Sequence, residues 1–184
     1  MGQHKIAPAI KTFLMKTEFT RAIVPHEVPR LMAFDRKVFP AADLFPAAYW
    51  KVCESWWLLV DGRRAGCCAF ERHVDFRPDA NREDAEEDGY PRRKGSLYIA
   101  TTGILPKYQG MGFGRILKAW QVSYARYHGF SRIVTSSRKR NAAMISLNKE
   151  FGFRVVRTIA GYYDDPTDAA VVMELLVLPA SGNA

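Results

Sequence analysis

The chain has 184 residues and a formal net charge of +8; 48% of its residues are hydrophobic and 25% are charged. This composition is ordinary for a soluble globular protein, and the length suffices for one substantial core. No stretch approaches the roughly 20 consecutive apolar residues that a membrane span requires. The N-terminal residues also lack the apolar core of a secretory signal. We therefore expect a cytoplasmic protein with no membrane partner.

The positive charge admits nucleic acid or a polyphosphorylated ligand as a partner. Basic residues cluster at 92–94 and 138–140, but no zinc finger or aromatic RNA-binding signature accompanies them. We therefore predict no nucleic-acid partner. The second cluster lies between a predicted strand and a predicted helix, where it could serve a phosphate or form a solvated basic loop.

The three cysteines are Cys53, Cys67 and Cys68. The adjacent pair lies on a predicted strand, where successive side chains point to opposite faces, so we expect no disulfide framework. The sequence instead predicts three free, buried thiols. We also predict no metal site, because these cysteines and four scattered histidines lack the spacing of zinc ligands.

The first half of the chain alternates short strands and helices. A strand is predicted within residues 11–24, and Pro25 opens a helix that ends at Phe39-Pro40. A second helix is predicted at 46–53. Two strands follow, at 56–60 and 65–74, and they are joined by Asp61-Gly62, a strong hairpin signal.

Residues 75–95 are polar and acidic, and we expect them to form a mobile loop insertion. The termini, 1–11 and 179–184, are expected to be flexible. A single domain is therefore predicted over residues 12–178.

The second half begins with a strand at 97–105 and a glycine-rich loop. The elements predicted after the loop are a helix from Phe113 to about residue 128, a strand at 133–136, a helix at 141–150, and strands at 154–160 and 169–178 that flank a loop at 161–166. Alternation of this kind predicts an α/β fold in which helices flank a mixed sheet of about six to seven strands.

The glycine-rich loop, residues 109–114, is the centre of the functional prediction. A loop that joins a strand to a helix N-terminus binds anions, because the first N–H groups of a helix have no intrahelical partner and the helix dipole favours negative charge. Arg115 lies on the first turn, where a guanidinium can grip a phosphate. The loop therefore predicts a pyrophosphate site.

Two common nucleotide motifs do not fit this loop. The dinucleotide fingerprint GxGxxG would need glycine at position 117, which is Leu117. The P-loop needs GK[ST] after four spacer residues, and this is absent from the stretch.

The spacing Q-x-x-G-x-G, from Gln109 to Gly114, resembles the acyl-CoA signature of the GNAT superfamily of N-acyltransferases. Asn141, an apolar helix and Phe151-Gly152-Phe153 resemble the superfamily's second conserved segment. The resemblance covers residues 96–178 well and the first half in element order. Leu97-Tyr98-Ile99, and Tyr162-Tyr163 followed by Asp168-Ala169, resemble the amino-terminal protein acetyltransferases most.

This resemblance implies a GNAT-like fold and an enzyme that transfers an acetyl group from acetyl-CoA to a primary amine, by direct attack in a ternary complex. The backbone N–H near Thr102 would bind the thioester oxygen, and Ile104 and Leu105 would lie along the pantetheine arm. Asn141 would hydrogen-bond the pantetheine, although asparagine is also a favoured helix N-cap. The residues implied for the pyrophosphate are Gln109, Gly110, Met111, Gly112, Phe113, Gly114 and Arg115.

The acid and base are less well defined by the residues. Tyr98 occupies the strand position where relatives place a glutamate base or a tyrosine that orders water, and Glu71 and His73 on the preceding strand are alternative bases. Ser136 falls where related enzymes carry a glutamate or histidine. Asn148 falls where many members place a tyrosine that protonates the departing thiolate; we group it with the cofactor-binding residues.

The residues expected to bind the amine acceptor are Phe39, Tyr162 and Tyr163. The acceptor would be a protein or peptide N-terminus or a small-molecule amine, and the protein could be a monomer or a homodimer. A non-catalytic acyl-CoA-binding regulatory module is the alternative, supported by Ser136 and Asn148.

Overall fold

The computed structural model describes residues 15–73 and 95–177. The described helices are α1 (Val28–Val38), α2 (Ala47–Val52), α3 (Phe113–Tyr127) and α4 (Ala142–Glu150). The strands are β1 (Thr17–Arg21), β2 (Glu54–Val60), β3 (Arg63–His73), β4 (Ser96–Ile104), β5 (Arg132–Arg138), β6 (Arg154–Asp164) and β7 (Thr167–Leu176). The predictions for residues 1–11, 75–94 and 179–184 lie outside the described residues.

The seven strands form one sheet in the order β1-β2-β3-β4-β5-β7-β6. β4 and β5 are parallel, whereas β1 with β2, β5 with β7 and β6 with β7 are antiparallel. The predicted α/β class with a mixed sheet is therefore confirmed. Within the described residues, none of the helices is both long enough and apolar enough to cross a membrane.

Contacts divide the described residues into two compact units. The described residues of the first unit lie within Met1–Ala69 and Thr101–Leu117, and those of the second lie within Phe70–Ala100 and Lys118–Ala184.

In the first unit, the β2–β3 connection is the predicted two-residue turn. Asp61 and Gly62 have φ of 48° and 73°, the positive values that a type I′ hairpin turn needs at both central residues. Helix α1 packs closely on β4 at Gly103. A Cβ at this position would lie 2.9 Å from Val38 Cγ1 and 3.1 Å from Phe34 Cε1, so any larger residue there would force these side chains to move.

Two buried carboxylates anchor α1. Asp35 Oδ2 accepts a hydrogen bond of 2.9 Å from the Phe45 N–H, and burial raises the pKa of Asp35. Glu27 Oε2 accepts one of 3.0 Å from the Ile23 N–H, and its other oxygen pairs with Arg64. Burial raises the pKa of Glu27, but Ile23, Arg64 and Trp57 together outweigh it and hold the pKa below its ordinary value.

The three cysteines, Cys53, Cys67 and Cys68, are free and buried, as predicted. Burial raises the pKa of the Cys67 thiol well above its ordinary value. The thiol is therefore protonated at neutral pH and is a core residue.

In the second unit, β7 forms the centre of the core: Ala170, Val171, Val172 and Met173 are all buried. β7 pairs with β5 along the whole of β5, from Arg132↔Leu176 to Arg138↔Ala170. β6 lies outside β7 and most of its residues are exposed. One side of the hairpin formed by β6 and β7 is therefore held by β5.

The prediction of a loop at 161–166 is wrong. β6 continues to Asp164, and the turn contains only Asp165 and Pro166. The β6–β7 register is interrupted between Ile159 and Tyr163 and resumes at Tyr163↔Asp168. A bulge of this kind absorbs extra residues in one strand without ending the hairpin. The tyrosine pair is therefore on a strand rather than in a loop.

Candidate functional site

The glycine-rich loop is fixed to the end of β4. The Leu105 N–H donates to the Ala65 carbonyl at 2.9 Å, and a 3₁₀ turn, Pro106–Tyr108, follows. The Gln109 side-chain amide then donates back to the Ile104 carbonyl at 2.9 Å. Gln109 thus braces the loop against the strand from which it emerges.

The loop turns on two glycines with left-handed backbone. Gly110 has φ of 73° and Gly112 has φ of 90°. A Cβ at either position would meet no heavy atom within 4 Å. The glycines are therefore required by backbone conformation, and the surface above them is open.

Several N–H groups in the loop and at the start of α3 have no backbone partner. Within residues 15–73 and 95–177, no backbone acceptor pairs with the N–H groups of Gly110, Gly112, Phe113 or Gly114. The first turn of α3 contains no acidic residue, and Arg115 is exposed. Unpaired N–H groups at the positive end of a helix dipole are an anion site.

Phe113 fixes the position of this helix end. Its side chain is fully buried, and its ring packs edge-on against Tyr108 with centroids 5.8 Å apart. The loop is therefore anchored on both sides of its glycines, which leaves its N–H groups oriented before any ligand arrives.

The parallel ladder between β4 and β5 covers only the first part of β4. Its register runs from Ser96↔Arg132 to Ile99↔Thr135, whereas β4 continues to Ile104. At the last pair, the Thr135 hydroxyl donates to the Ile99 carbonyl at 3.2 Å. The backbone of residues 100–104 is thus outside the ladder with β5.

Tyr98 and Ser136 meet on one face of the second unit. The Tyr98 hydroxyl and the Ser136 hydroxyl are 3.2 Å apart, and both residues are half-buried. The Tyr98 ring packs against Val134 and Val172. Val134 and Ser136 are two residues apart on β5, so their side chains lie on the same face of the sheet. Tyr98 contacts both of them.

Asn141 is the N-cap of α4. Its Oδ1 accepts a hydrogen bond of 3.1 Å from the Met144 N–H, and the residue is exposed. The capping role that the sequence offered is therefore present, and the side-chain oxygen is used by the helix.

These features follow one another along a sequence that matches the Acetyltransferase (GNAT) family over residues 25–153, more than half of the chain. The chain belongs to the GNAT acetyltransferase family. The matched segment includes Tyr98, the glycine-rich loop and the Asn141 cap.

Solved structures confirm the GNAT fold. The ribosomal-protein-S18-alanine N-acetyltransferase from Escherichia coli aligns with a TM-score of 0.70 and 16% identity, covering 92% of this chain and 99% of its own. NAA60 from Arabidopsis thaliana, in complex with acetyl-CoA, aligns with a TM-score of 0.69 and 17% identity, covering 88% and 99%.

A third structure, the GNAT-like decarboxylase GphF in complex with isobutyryl-CoA, aligns with a TM-score of 0.70 and 19% identity, covering 88% of this chain and 100% of its own. No curated protein sequence matches the chain. At these identities the similarity establishes the fold alone, and GNAT folds host more than one reaction.

Asn148 lies deep in the GNAT fold. It is fully buried, its Nδ2 lies 3.7 Å from Met173 Sδ, and its Oδ1 has no hydrogen-bond partner within the described residues. The residue that stands at the predicted acid position is thus directed at β7, on the core side of α4.

The other predicted residues are placed as follows. Glu71 is half-buried on β3, and the side chain of His73 lies outside the described residues.

Phe39 is packed beside Gly103: its Cε2 lies 3.2 Å from the position that a Cβ there would take. The rings of Tyr162 and Tyr163 are 5.0 Å apart at 80°. Thr102 is half-buried on β4.

Arg138 departs from the prediction for the basic cluster at 138–140. That prediction is a phosphate contact or a solvated basic loop, whereas Arg138 lies within β5 and is only 8% exposed. Its guanidinium donates to the Pro166 and Asp165 carbonyls at 2.7 and 3.0 Å. The sequence signal was its spacing from Val134 and Ser136, which places it on the same face of β5.

Proposed function

We propose that this GNAT protein is an N-acetyltransferase that uses acetyl-CoA and a primary amine. The observation that carries the proposal is the loop of residues 109–114, which presents oriented N–H groups at the start of α3. A pyrophosphate carries the negative charge that this arrangement favours, and the exposed Arg115 adds a cationic fork for its oxygens. The acetyl-CoA in the NAA60 structure makes acetyl-CoA the first choice of ligand.

The pantetheine arm would lie along the backbone of residues 100–104. This part of β4 is outside the ladder with β5, and pantetheine carries amide groups that can pair with a strand backbone. The Nδ2 of Asn141 would donate to one of its carbonyls, because the Oδ1 of this side chain already serves α4.

Acetyl-CoA supplies the thioester that the amine attacks, so that a C–N bond forms and CoA leaves as a thiolate. The N–H near Thr102 would stabilise the charge that develops on the thioester oxygen; such a donor contributes about 3 kcal/mol where it has been tested. The thiol of CoA has a pKa near 8.5, so water can protonate the thiolate without a side-chain acid.

The amine must lose a proton, and Tyr98 is our first choice for the group that receives or relays it. Its hydroxyl already has a partner in Ser136. A tyrosine and a serine can each both donate and accept a hydrogen bond, so the pair can hold a water molecule and pass a proton to it. Glu71 remains the alternative base on β3.

The acceptor is proposed to be a protein or peptide N-terminus, with small-molecule amines as the second class. The E. coli S18-alanine N-acetyltransferase, by its name, acts on a protein alanine, and this supports the first class. Tyr162 and Tyr163 on β6 would form one wall of the acceptor groove.

A second candidate is a non-catalytic acyl-CoA-binding module, and Asn148 favours it. An asparagine amide cannot deliver a proton at neutral pH, and the buried Nδ2 is directed at Met173. In such a module the loop and the Asn141 cap would still bind the ligand, and Tyr98 would have no catalytic role.

The deciding experiment measures release of free CoA from acetyl-CoA with a panel of amines: peptides that differ in their first residue, an N-blocked lysine peptide and polyamines. We expect release with at least one amine, and a thermal shift with acetyl-CoA alone, because a ligand of the folded state raises its stability. A thermal shift without release by any amine would support the binding module. No shift and no release would overturn the proposal.

A further inference from the structure

The end of β5 and the two residues after it form hydrogen bonds with the hairpin of β6 and β7 near the tip of the hairpin. The Lys139 N–H donates to the Ala169 carbonyl at 2.8 Å, and the Arg140 N–H donates to the Asp168 carboxylate at 3.2 Å. The β6–β7 register, by contrast, is interrupted between Ile159 and Tyr163. The tip of the hairpin therefore depends on β5 as well as on its own ladder.

Arg138 makes the most extensive of these contacts. Its two terminal nitrogens donate to the carbonyls of Asp165 and Pro166, the two turn residues, at 3.0 and 2.7 Å. The guanidinium carbon also lies 4.2 Å from the centroid of the Tyr163 ring. A planar guanidinium can donate in two directions and stack on a ring at the same time, which an ammonium cannot do.

Burial makes this contact set specific. Arg138 is 8% exposed, and a buried guanidinium must be hydrogen-bonded to offset its desolvation. The turn carbonyls satisfy it, so the position of the turn is fixed with respect to β5. The side chain also shares a face of β5 with Ser136, the partner of Tyr98.

We infer that Arg138 is a positioning residue for the amine acceptor: it fixes Tyr163 and the hairpin turn at a set distance along β5 from the Tyr98–Ser136 pair. The inference rests on the proposed function, because it takes Tyr162 and Tyr163 as the acceptor wall. Its consequence is that Arg138 controls the KM for the acceptor, while the KM for acetyl-CoA and kcat depend on other residues.

Three variants test the assignment. Arg138→Met removes the charge and the donors, and Arg138→Lys retains the charge without the planar fork. Tyr163→Leu removes the stacked ring and leaves the guanidinium with its carbonyl partners, so it tests the contact even where Arg138→Met fails to fold. Arg154→Met is the matched control, since it removes an exposed arginine from β6.

The first readout is hydrogen–deuterium exchange of the peptide that covers residues 161–168, and it needs no acceptor. We expect faster exchange there in both Arg138 variants and in Tyr163→Leu, and wild-type exchange in Arg154→Met. Unchanged exchange in the Arg138 variants would overturn the positioning role.

The second readout is kinetic and uses the amine that the CoA-release panel identifies. The loss of charge-assisted hydrogen bonds should raise the acceptor KM roughly tenfold in Arg138→Met and Arg138→Lys, with kcat and the acetyl-CoA KM unchanged. A fall in kcat at constant acceptor KM, or no kinetic change, would overturn the inference. Failure of the proposed function is distinguishable, because the wild-type protein would then release no CoA with any amine.

Discussion

The hydroxyl groups of Tyr98 and Ser136 lie 3.2 Å apart, on neighbouring parallel strands of the sheet. The contact matters because Ser136 stands where related enzymes carry an ionisable base, and a serine cannot act as one at neutral pH. The pair can nevertheless relay a proton to water, and this gives Tyr98 a testable role.

Tyr98→Phe should lower kcat by about a hundredfold at neutral pH, the lower range for loss of a proton-transfer group. Ser136→Ala should lower it by only about fivefold, because it removes one hydrogen bond and leaves the phenol in place. Steady-state kinetics of CoA release would measure both, and acetyl-CoA thermal shifts should equal those of the wild type. Wild-type kcat in Tyr98→Phe, with a large loss in Glu71→Gln, would transfer the role to Glu71.

Gly110→Ala should weaken acetyl-CoA binding and also destabilise the fold. Gly110 and Gly129 have nearly the same left-handed φ, 73° and 72°, and both are open to solvent. An alanine costs about 1–2 kcal/mol in this conformation, so Gly110→Ala and Gly129→Ala should lose similar stability in denaturant unfolding. Only Gly110→Ala should lose affinity in a calorimetric titration with acetyl-CoA. Equal affinities in the two variants would argue against the loop as the pyrophosphate site.

Substitutions can separate the two roles of Asn141, which are the N-cap of α4 and the proposed hydrogen bond to pantetheine. Asn141→Ala removes the cap and should cost about 1 kcal/mol of stability, whereas Asn141→Asp keeps an oxygen acceptor for the Met144 N–H and should unfold like the wild type. Both variants lack the Nδ2 donor, so both should bind acetyl-CoA more weakly. Wild-type affinity in Asn141→Asp would assign Asn141 to the helix alone.

Asp35 on α1 and Glu27 at its N-cap should give stability profiles of opposite sign with pH. The pKa of Asp35 is raised by burial, so its contribution is fully present below the ordinary value of 3.8 and is lost as the pH rises through the folded-state pKa. The pKa of Glu27 is lowered, so its contribution is present above the ordinary value of 4.5 and is lost as the pH falls through the folded-state pKa.

Asp35→Asn should therefore gain stability relative to the wild type as the pH increases, and Glu27→Gln should lose stability relative to it. Melting temperatures measured from acidic to neutral pH would show the two differences diverging. Parallel profiles for the two variants would contradict the assigned shifts.

Sequence reasoning placed the central strand, the glycine-rich loop, α3 and α4 correctly because their signals are local. Glycine at a left-handed turn, an asparagine cap and apolar periodicity each act within a few residues. The prediction of a loop at 161–166 is wrong because a β-bulge is decided by the partner strand. Pairing with β7 carries β6 through Gly161 and on to Asp164.

The α/β class, the loop at residues 109–114 and membership of an acyltransferase family can be predicted from the sequence alone, since these depend on residue types at fixed spacing. Which side chains meet depends on the tertiary structure. Ser136 becomes the partner of Tyr98, and Arg138 becomes the support of the hairpin rather than a surface charge. Both contacts join residues more than twenty positions apart, and their distances are set by strand order and register.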